Sequence, residues 1–272
     1  MIKLVLDSCA SLDREFLEKN DIRVAKFNLL IGNEQIEEPT YPEYSEVYEK
    51  LMVNKGVAKT SQPSVEDYTN LFTEILNNGD EVICLTMASR LSGSYNCAEM
   101  VAKQLGNNKI SVIDSHTLIQ GIKILVDSAL ELINAGKTRE EVVLELEKIR
   151  EEIVIRFVPP SLEPLRRGGR IGKVSAILGS VLNIKPILEF KANVLTCAKK
   201  VMGIPKAIAQ IVNEIPETCK RLFLIYVHKK DFLKPLKDAV LKKFSHLNIE
   251  EQNISATVGI HVGVGSFGVT YV

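Results

Sequence analysis

Short apolar runs recur along the chain, each closed by polar or turn-forming residues. The first, Ile2-Lys3-Leu4-Val5-Leu6, ends in Asp7-Ser8 and predicts a buried strand with a polar C-terminal end. Runs of the same kind occupy residues 81–88, 110–115, 153–158 and 221–228. Between several of them the apolar period lengthens to that of an amphipathic helix. Across Val65–Asn77, Tyr68, Leu71, Phe72, Ile75 and Leu76 fall on one helical face. Ser94–Leu105 and residues 117–135 and 138–151 repeat the spacing, and Thr138 with Glu141 has the form of a capping box.

Alternation of strand and helix from residue 1 to about 152 predicts an N-terminal parallel sheet with helices on both faces. Beyond residue 153 the order is less regular and predicts a mixed α/β unit. A hairpin is expected over residues 185–200, turning at Lys191-Ala192-Asn193, with two strands and one helix after it. The expected organisation is therefore two α/β domains, residues 1–155 and 156–272.

Composition narrows the function classes. Thirty-four basic residues balance 34 acidic ones, so the chain lacks the cationic excess of a nucleic-acid binder or DNA-binding regulator. The five cysteines are far apart, and no pair has the gap of a zinc or redox motif. Reduced thiols in a cytoplasmic protein are the expectation. Lys3, Asp7, Asp13 and Arg14 break up any signal-peptide pattern, and no apolar stretch approaches the ~20 residues of a membrane span.

Ligands of open α/β sheets bind where strands end and helices begin. Asp7-Ser8-Cys9-Ala10-Ser11, Ser89-Arg90-Leu91-Ser92-Gly93-Ser94-Tyr95 and Asp114-Ser115-His116-Thr117 occupy such positions, and Lys59-Thr60-Ser61-Gln62-Pro63-Ser64 reads as a hydroxyl-rich loop before a helix. Taken singly, each is accounted for by helix capping. In Ser92-Gly93-Ser94, however, a glycine beside hydroxyls at a helix start also lets backbone N–H groups approach an anion. Arg90 stands where a nucleophile elbow requires glycine, which argues against serine hydrolysis. No two of His116, His228, His246 and His261 have metal-ligand spacing. His261 is flanked by glycines in Gly259-Ile260-His261-Val262-Gly263-Val264-Gly265, so backbone and ligand can come close there. The basic, glycine-rich Leu165-Arg166-Arg167-Gly168-Gly169-Arg170-Ile171-Gly172-Lys173 fits a phosphate loop or an exposed docking loop. The apolar residues 174–184, with small side chains at Ser175, Ala176, Gly179 and Ser180, predict a helix that packs in a core or walls a tunnel.

Asp7-Ser8, Lys59-Thr60-Ser61-Gln62-Pro63, Leu91-Ser92-Gly93-Ser94-Tyr95, Val112-Ile113-Asp114-Ser115, Leu162-Glu163, Arg167-Gly168-Gly169-Arg170-Ile171-Gly172, Ile184-Lys185-Pro186-Ile187 and His261-Val262-Gly263-Val264-Gly265 run in order along the whole chain. With this set the chain resembles the DegV family of bacterial fatty-acid-binding proteins. The resemblance implies an acyl chain, palmitate-like or oleate-like, buried between and within the two domains. It implies a carrier without catalytic residues, cofactor or metal of its own. A partner fatty-acid kinase would phosphorylate the exposed carboxylate, as a step in phospholipid metabolism. By the same resemblance Thr60 and Ser92 hydrogen-bond the carboxylate, with His261 beside it. Ser8 and Gly93 would support them, and Arg170 would face the partner. Val264 departs harmlessly from a proline or polar residue. Met202, in Lys200-Val201-Met202, replaces an arginine of many kinase-coupled relatives, which bears on which kinase docks. The rival reading is a small-molecule phosphotransferase or hydrolase using Ser92 with His261, for which the spacing supplies no general base.

Overall fold

Leu4, Val5 and Leu6 are almost wholly buried, and the strand they form lies inside the first of three sheets. The computed structural model describes residues 1–54, 57–106, 108–177 and 184–272. Its first half runs β1 (Ile2–Asp7), α1 (Arg14–Lys19), β2 (Arg23–Ala25), β3 (Asn28–Ile31), β4 (Glu34–Glu37), α2 (Ser45–Val53), β5 (Ala58–Ser61), α3 (Val65–Asn77), β6 (Glu81–Thr86), α4 (Ser94–Leu105), β7 (Ile110–Asp114), α5 (Gln120–Asn134) and α6 (Arg139–Glu152). The second half runs β8 (Val154–Val158), α7 (Glu163–Arg167), β9 (Ile184–Lys191), β10 (Val194–Met202), α8 (Ile204–Asn213), β11 (Leu222–Tyr226), α9 (Leu233–Lys243), β12 (Ile249–Asn253), α10 (Ala256–Val262) and β13 (Phe267–Tyr271).

The first sheet has the order β2-β1-β6-β7, every pair parallel. Alternation along its strands sends Val5, Val82 and Cys84 toward Tyr68 and Phe72 of α3 and Ala98 of α4. Leu4, Leu6, Ile83 and Leu85 point the other way, into a cluster with Ile122, Leu125 and Val126 of α5. Helices thus cover both faces, as a parallel sheet requires. The Thr138 cap is real: its side chain accepts from Glu141 N, and its own N–H donates to Glu141 Oε2 at 2.9 Å.

The second sheet has the order β10-β9-β8-β13-β11-β12 and is antiparallel except for the parallel β11–β12 pair. Val154, Val158, Leu222 and Leu224 lie on the face covered by α8 and α9. Ile155, Phe157, Phe190 and Ile225 lie on the other face and join the cluster under the first sheet. One apolar core therefore runs from sheet to sheet.

Four local expectations change. A small antiparallel sheet, β4-β3-β5, adds to the parallel one, and it takes residues 58–61 out of the expected loop. Their polar sequence hides the strand, because β5 is an edge whose side chains are at most half-buried. After the hairpin there are three strands and three helices, since β12 is a polar edge strand and α10 is short. The helix expected over residues 174–184 falls partly outside the described residues; Gly172–Ile177 is a 3₁₀ turn and Ile184 already begins β9.

Helix α10 returns from the second half to pack on α2 and β5 of the first. Tyr48, fully buried on α2, shares its hydroxyl proton between the carbonyls of Ile254 at 2.8 Å and Ser255 at 3.0 Å, at the start of α10. Gly259 gives it room, for a Cβ there would overlap the Tyr48 hydroxyl and ring. Because that hydroxyl is pinned, Gly259→Ala should cost about 1–3 kcal/mol by overpacking. Urea unfolding checks it, and Tyr48→Phe in the same background should recover part of the loss.

Candidate functional site

Three segments distant in sequence meet where the two sheets approach. Thr60 lies opposite Leu29 in the β3–β5 pair, so it shares Leu29's inward face. Ser92 ends the loop between β6 and α4. His261 sits in the last turn of α10. His261 Nε2 and Thr60 Oγ1 are hydrogen-bonded at 2.9 Å across 201 positions of sequence. Gly168, just past α7, backs the imidazole so closely that a Cβ would collide with Nδ1. Gly93 backs Gln62 in the same way. Arg170 closes the ring of segments: its Nε donates to the Leu91 carbonyl at 3.1 Å and its Nη1 to the Gly168 carbonyl at 2.6 Å.

This polar ring borders a cavity of about 300 Å³, at the lower end of ligand-pocket sizes. Beyond the ring the walls are apolar, with Phe27, Ile119, Phe157, Phe190, Leu195 and Ile225 among them. Thr60, Ser92, Gly93, Arg170 and His261 are each half-buried, so the polar part of the cavity meets the surface while its apolar walls lie in the core. Ser266 also lines it, but its hydroxyl is committed to the carbonyls of Val262 and Gly263, both at 2.8 Å.

Burial, reinforced by the Arg170 charge, pulls the His261 imidazole down to about 4 from its ordinary 6.5. The ring is therefore neutral at physiological pH. If Nε2–H donates to Thr60, the threonine hydroxyl proton is free to point into the cavity. Ser92 Oγ accepts from the Ser94 N–H at 3.2 Å and so keeps its own proton available. Ser94 is held in turn by Asp7 Oδ2 at 2.7 Å. Asp7 is fully buried, and burial pushes its carboxyl up to about 6 against the opposing pull of the Met87 N–H and the Ser94 hydroxyl.

Ser8 is not brought to this cavity. Its hydroxyl donates to Glu38 at 2.5 Å and accepts from the Phe27 N–H at 3.0 Å, bordering a separate small void. Glu38 is fully buried; burial raises it to about 7, although Ser8 and the Thr257 N–H at 2.7 Å favour its charged form. Arg170, expected to face a partner, is half-buried, with Nε and Nη1 bonded to the Leu91 and Gly168 carbonyls. The sequence pattern places Gly168 in a basic loop and Gln62 in a hydroxyl-rich one, and it carries no sign of Tyr48 or Glu38. Gly168 carried a signal in its glycine pair, whereas Glu38 sits in an acidic stretch that reads as solvated surface. Among the described residues no cluster of three His, Cys, Asp or Glu could hold a metal ion. No described helix is long and apolar enough to cross a membrane.

A family model described as "Uncharacterised protein, DegV family" matches residues 1–272. The chain belongs to the DegV family. A DegV domain-containing protein of Clostridium acetobutylicum is 30% identical over 274 residues, spanning 98% of this chain and 97% of its own. A DegV family protein from Thermus thermophilus, whose solved structure is described by its fatty acid binding, has a TM-score of 0.89 at 30% identity over 99% of this chain and 98% of its own. DegV from Bacillus subtilis, described as a fatty acid binding protein, has a TM-score of 0.88 at 25% identity over 99% and 98%. The α/β architecture is thus that of DegV proteins.

The neutral state of His261 has a stability signature. Its folded value lies below its ordinary one, so the unfolded chain takes up the proton first as pH falls. The stability contributed by the neutral ring is complete above pH 6.5 and is lost as pH drops through about 4. Asp7 and Glu38 act in the opposite sense, so the comparison must be between variants. Wild type should lose more stability than His261→Asn between pH 7 and pH 4.5, read by urea unfolding, and the imidazole NMR resonances should titrate near 4. Titration near 6.5 would mean a solvated ring.

Proposed function

We propose that this protein binds a long-chain fatty acid in the apolar cavity, with the carboxylate at Thr60, Ser92 and His261. It then presents that carboxylate to a partner kinase for acyl-phosphate formation. The observation that carries the reading is the joining of one apolar cavity to one small polar ring at the surface. An amphiphile with a single charged end fits that division. Family membership, and the fatty acid binding of the Thermus thermophilus and Bacillus subtilis relatives, support it.

The energetics are consistent with retention. Burying a C16 tail yields about 0.8 kcal/mol per CH₂, a gross term on the order of 10 kcal/mol, from which ordering and association subtract a large part. The carboxylate would lose water at the polar ring, and an unpaired buried charge is costly. Two hydroxyl donors offset that loss. Arg170 adds positive potential beside them without contributing a full ion pair. Neutral His261 orients Thr60, because the hydrogen bond of its Nε2 goes to Thr60 Oγ1.

Protein purified from a bacterial host should release a long-chain fatty acid near equal stoichiometry on organic extraction, read by mass spectrometry. Delipidated Thr60→Ala/Ser92→Ala should bind palmitate more weakly by about 1.5–3 kcal/mol for each lost charged hydrogen bond, with the fold kept and stability lowered by about 1 kcal/mol for the lost Thr60–His261 bond. Lipid-free protein that also ignores added palmitate and oleate would overturn the reading.

Kinase docking yields a separate expectation. Met202 is 59% exposed on the β10 edge, near Lys199 and Lys200. Arginine there would add charge and a bidentate donor. Met202→Arg should speed acyl-phosphate formation by a kinase from an arginine-bearing relative, with palmitate affinity unchanged; equal rates would remove position 202 from the docking surface.

A further inference from the structure

The β9–β10 hairpin turns through Ala192 and Asn193, whose φ angles are 45° and 63°. Two-residue turns of this hand require both residues in the left-handed region, which asparagine tolerates and alanine resists. The turn residues do more than reverse the chain. The Asn193 N–H donates to the His116 carbonyl at 3.1 Å. Its side-chain amide donates to Ser89 Oγ and to Asp114 Oδ2, both at 3.1 Å, and its Oδ1 accepts from the Arg90 N–H at 3.4 Å. Asp114 Oδ1 accepts from the N–H groups of Ser89 at 3.0 Å and His116 at 3.3 Å. One asparagine thus joins the hairpin tip to the loop after β6 and the loop after β7.

Those segments continue directly into the cavity walls. Leu91, Ser92 and Gly93 follow Arg90, Leu118 and Ile119 follow His116, and Phe190 and Leu195 flank the hairpin turn. The loop that carries Ser92 is therefore tied on one side by Asn193 at Ser89 and Arg90, and on the other by Arg170 at the Leu91 carbonyl. Ties of this kind, from two separate elements, fix a loop that no strand or helix supports.

We infer that Asn193 is a positioning residue for the head-group site: its amide locks the Ser92 loop to the hairpin and so holds the cavity wall closed on the acyl chain. The inference rests on the fatty-acid reading above. Asn193 touches no ligand in this scheme and acts through the loop. Its donor pairs with the Asp114 acceptor, and that pairing can be reversed. In Asn193→Asp, two carboxylates face each other across the joint. In Asn193→Asp with Asp114→Asn, the new amide donates to the new carboxylate while its oxygen still accepts from Ser89 and His116.

The experiment loads full-length protein with palmitate and follows its exchange against deuterated palmitate by mass spectrometry. Asn193→Asp should release palmitate about tenfold faster or more, the scale of one lost charged hydrogen bond, and the double exchange should return to within about threefold of wild type. Hydrogen exchange of the amides from Ser92 to Cys97 should rise in the single variant without any ligand and recover in the double. The Ser92→Ala penalty on affinity should shrink in the Asn193→Asp background, whereas a merely structural role would leave it additive. Unchanged release and unchanged amide exchange in Asn193→Asp, or a double exchange no better than the single, overturns the inference. Wild type that binds no palmitate overturns the functional reading instead, and the amide exchange still decides the loop tie.

Discussion

The head of the cavity depends on a hydrogen bond between Thr60 and His261, two side chains 201 residues apart. Neither could hold the other alone. β5 places Thr60 through its pairing with β3, and Tyr48 seats α10 through two carbonyls at its start. Gly259 and Gly168 then give up side chains so that a phenol and an imidazole can occupy their space. Removing bulk at those glycines is what allows two halves of the chain to meet at hydrogen-bonding distance.

The electrostatics behind the site are as constrained as its geometry. Asp7 stands behind the Ser92–Ser94 loop through Ser94, and Glu38 stands behind α10 through the Thr257 N–H. Both are fully buried and pushed toward the protonated form, to about 6 and about 7. Ionised carboxylates behind a carboxylate-binding ring oppose an anionic ligand. At neutral pH Asp7, at about 6, stays largely ionised and Glu38, at about 7, is about half protonated, so burial relieves only part of that opposition. With His261 neutral, Arg170 supplies the positive charge next to the ring, and it does so with two of its donors already committed to backbone carbonyls.

The regular elements were legible in proportion to their amphipathicity. Val65–Asn77 and Ser94–Leu105 were readable to the residue, since a buried stripe and polar starts mark them. The hairpin turn was readable at Ala192-Asn193, although the reach of the asparagine side chain into the other sheet was not. β5 and β12 escaped because edge strands need no apolar face. Thr60, Ser92, Arg170 and His261 stood out as members of an ordered family pattern, while nothing in their spacing announced the Thr60–His261 contact. Gly168 and Tyr48 act through space filled or left empty, which a one-dimensional pattern does not record.

The position of β13 has a consequence for how the molecule comes into being. Phe267–Tyr271 lies between β8 and β11 in the second sheet, pairing with both. During synthesis the strands on either side of it emerge first, with their facing edges unpaired and nothing to join them. Such open edges are templates for wrong partners, and pairing across this much sequence is slow. α10 immediately precedes that strand, so the segment bearing His261 is made after both β8 and β11. The nascent chain must therefore carry an unfinished sheet, exposed to chaperones and to aggregation, and it has no closed cavity until a short central strand arrives to zip the two sides together.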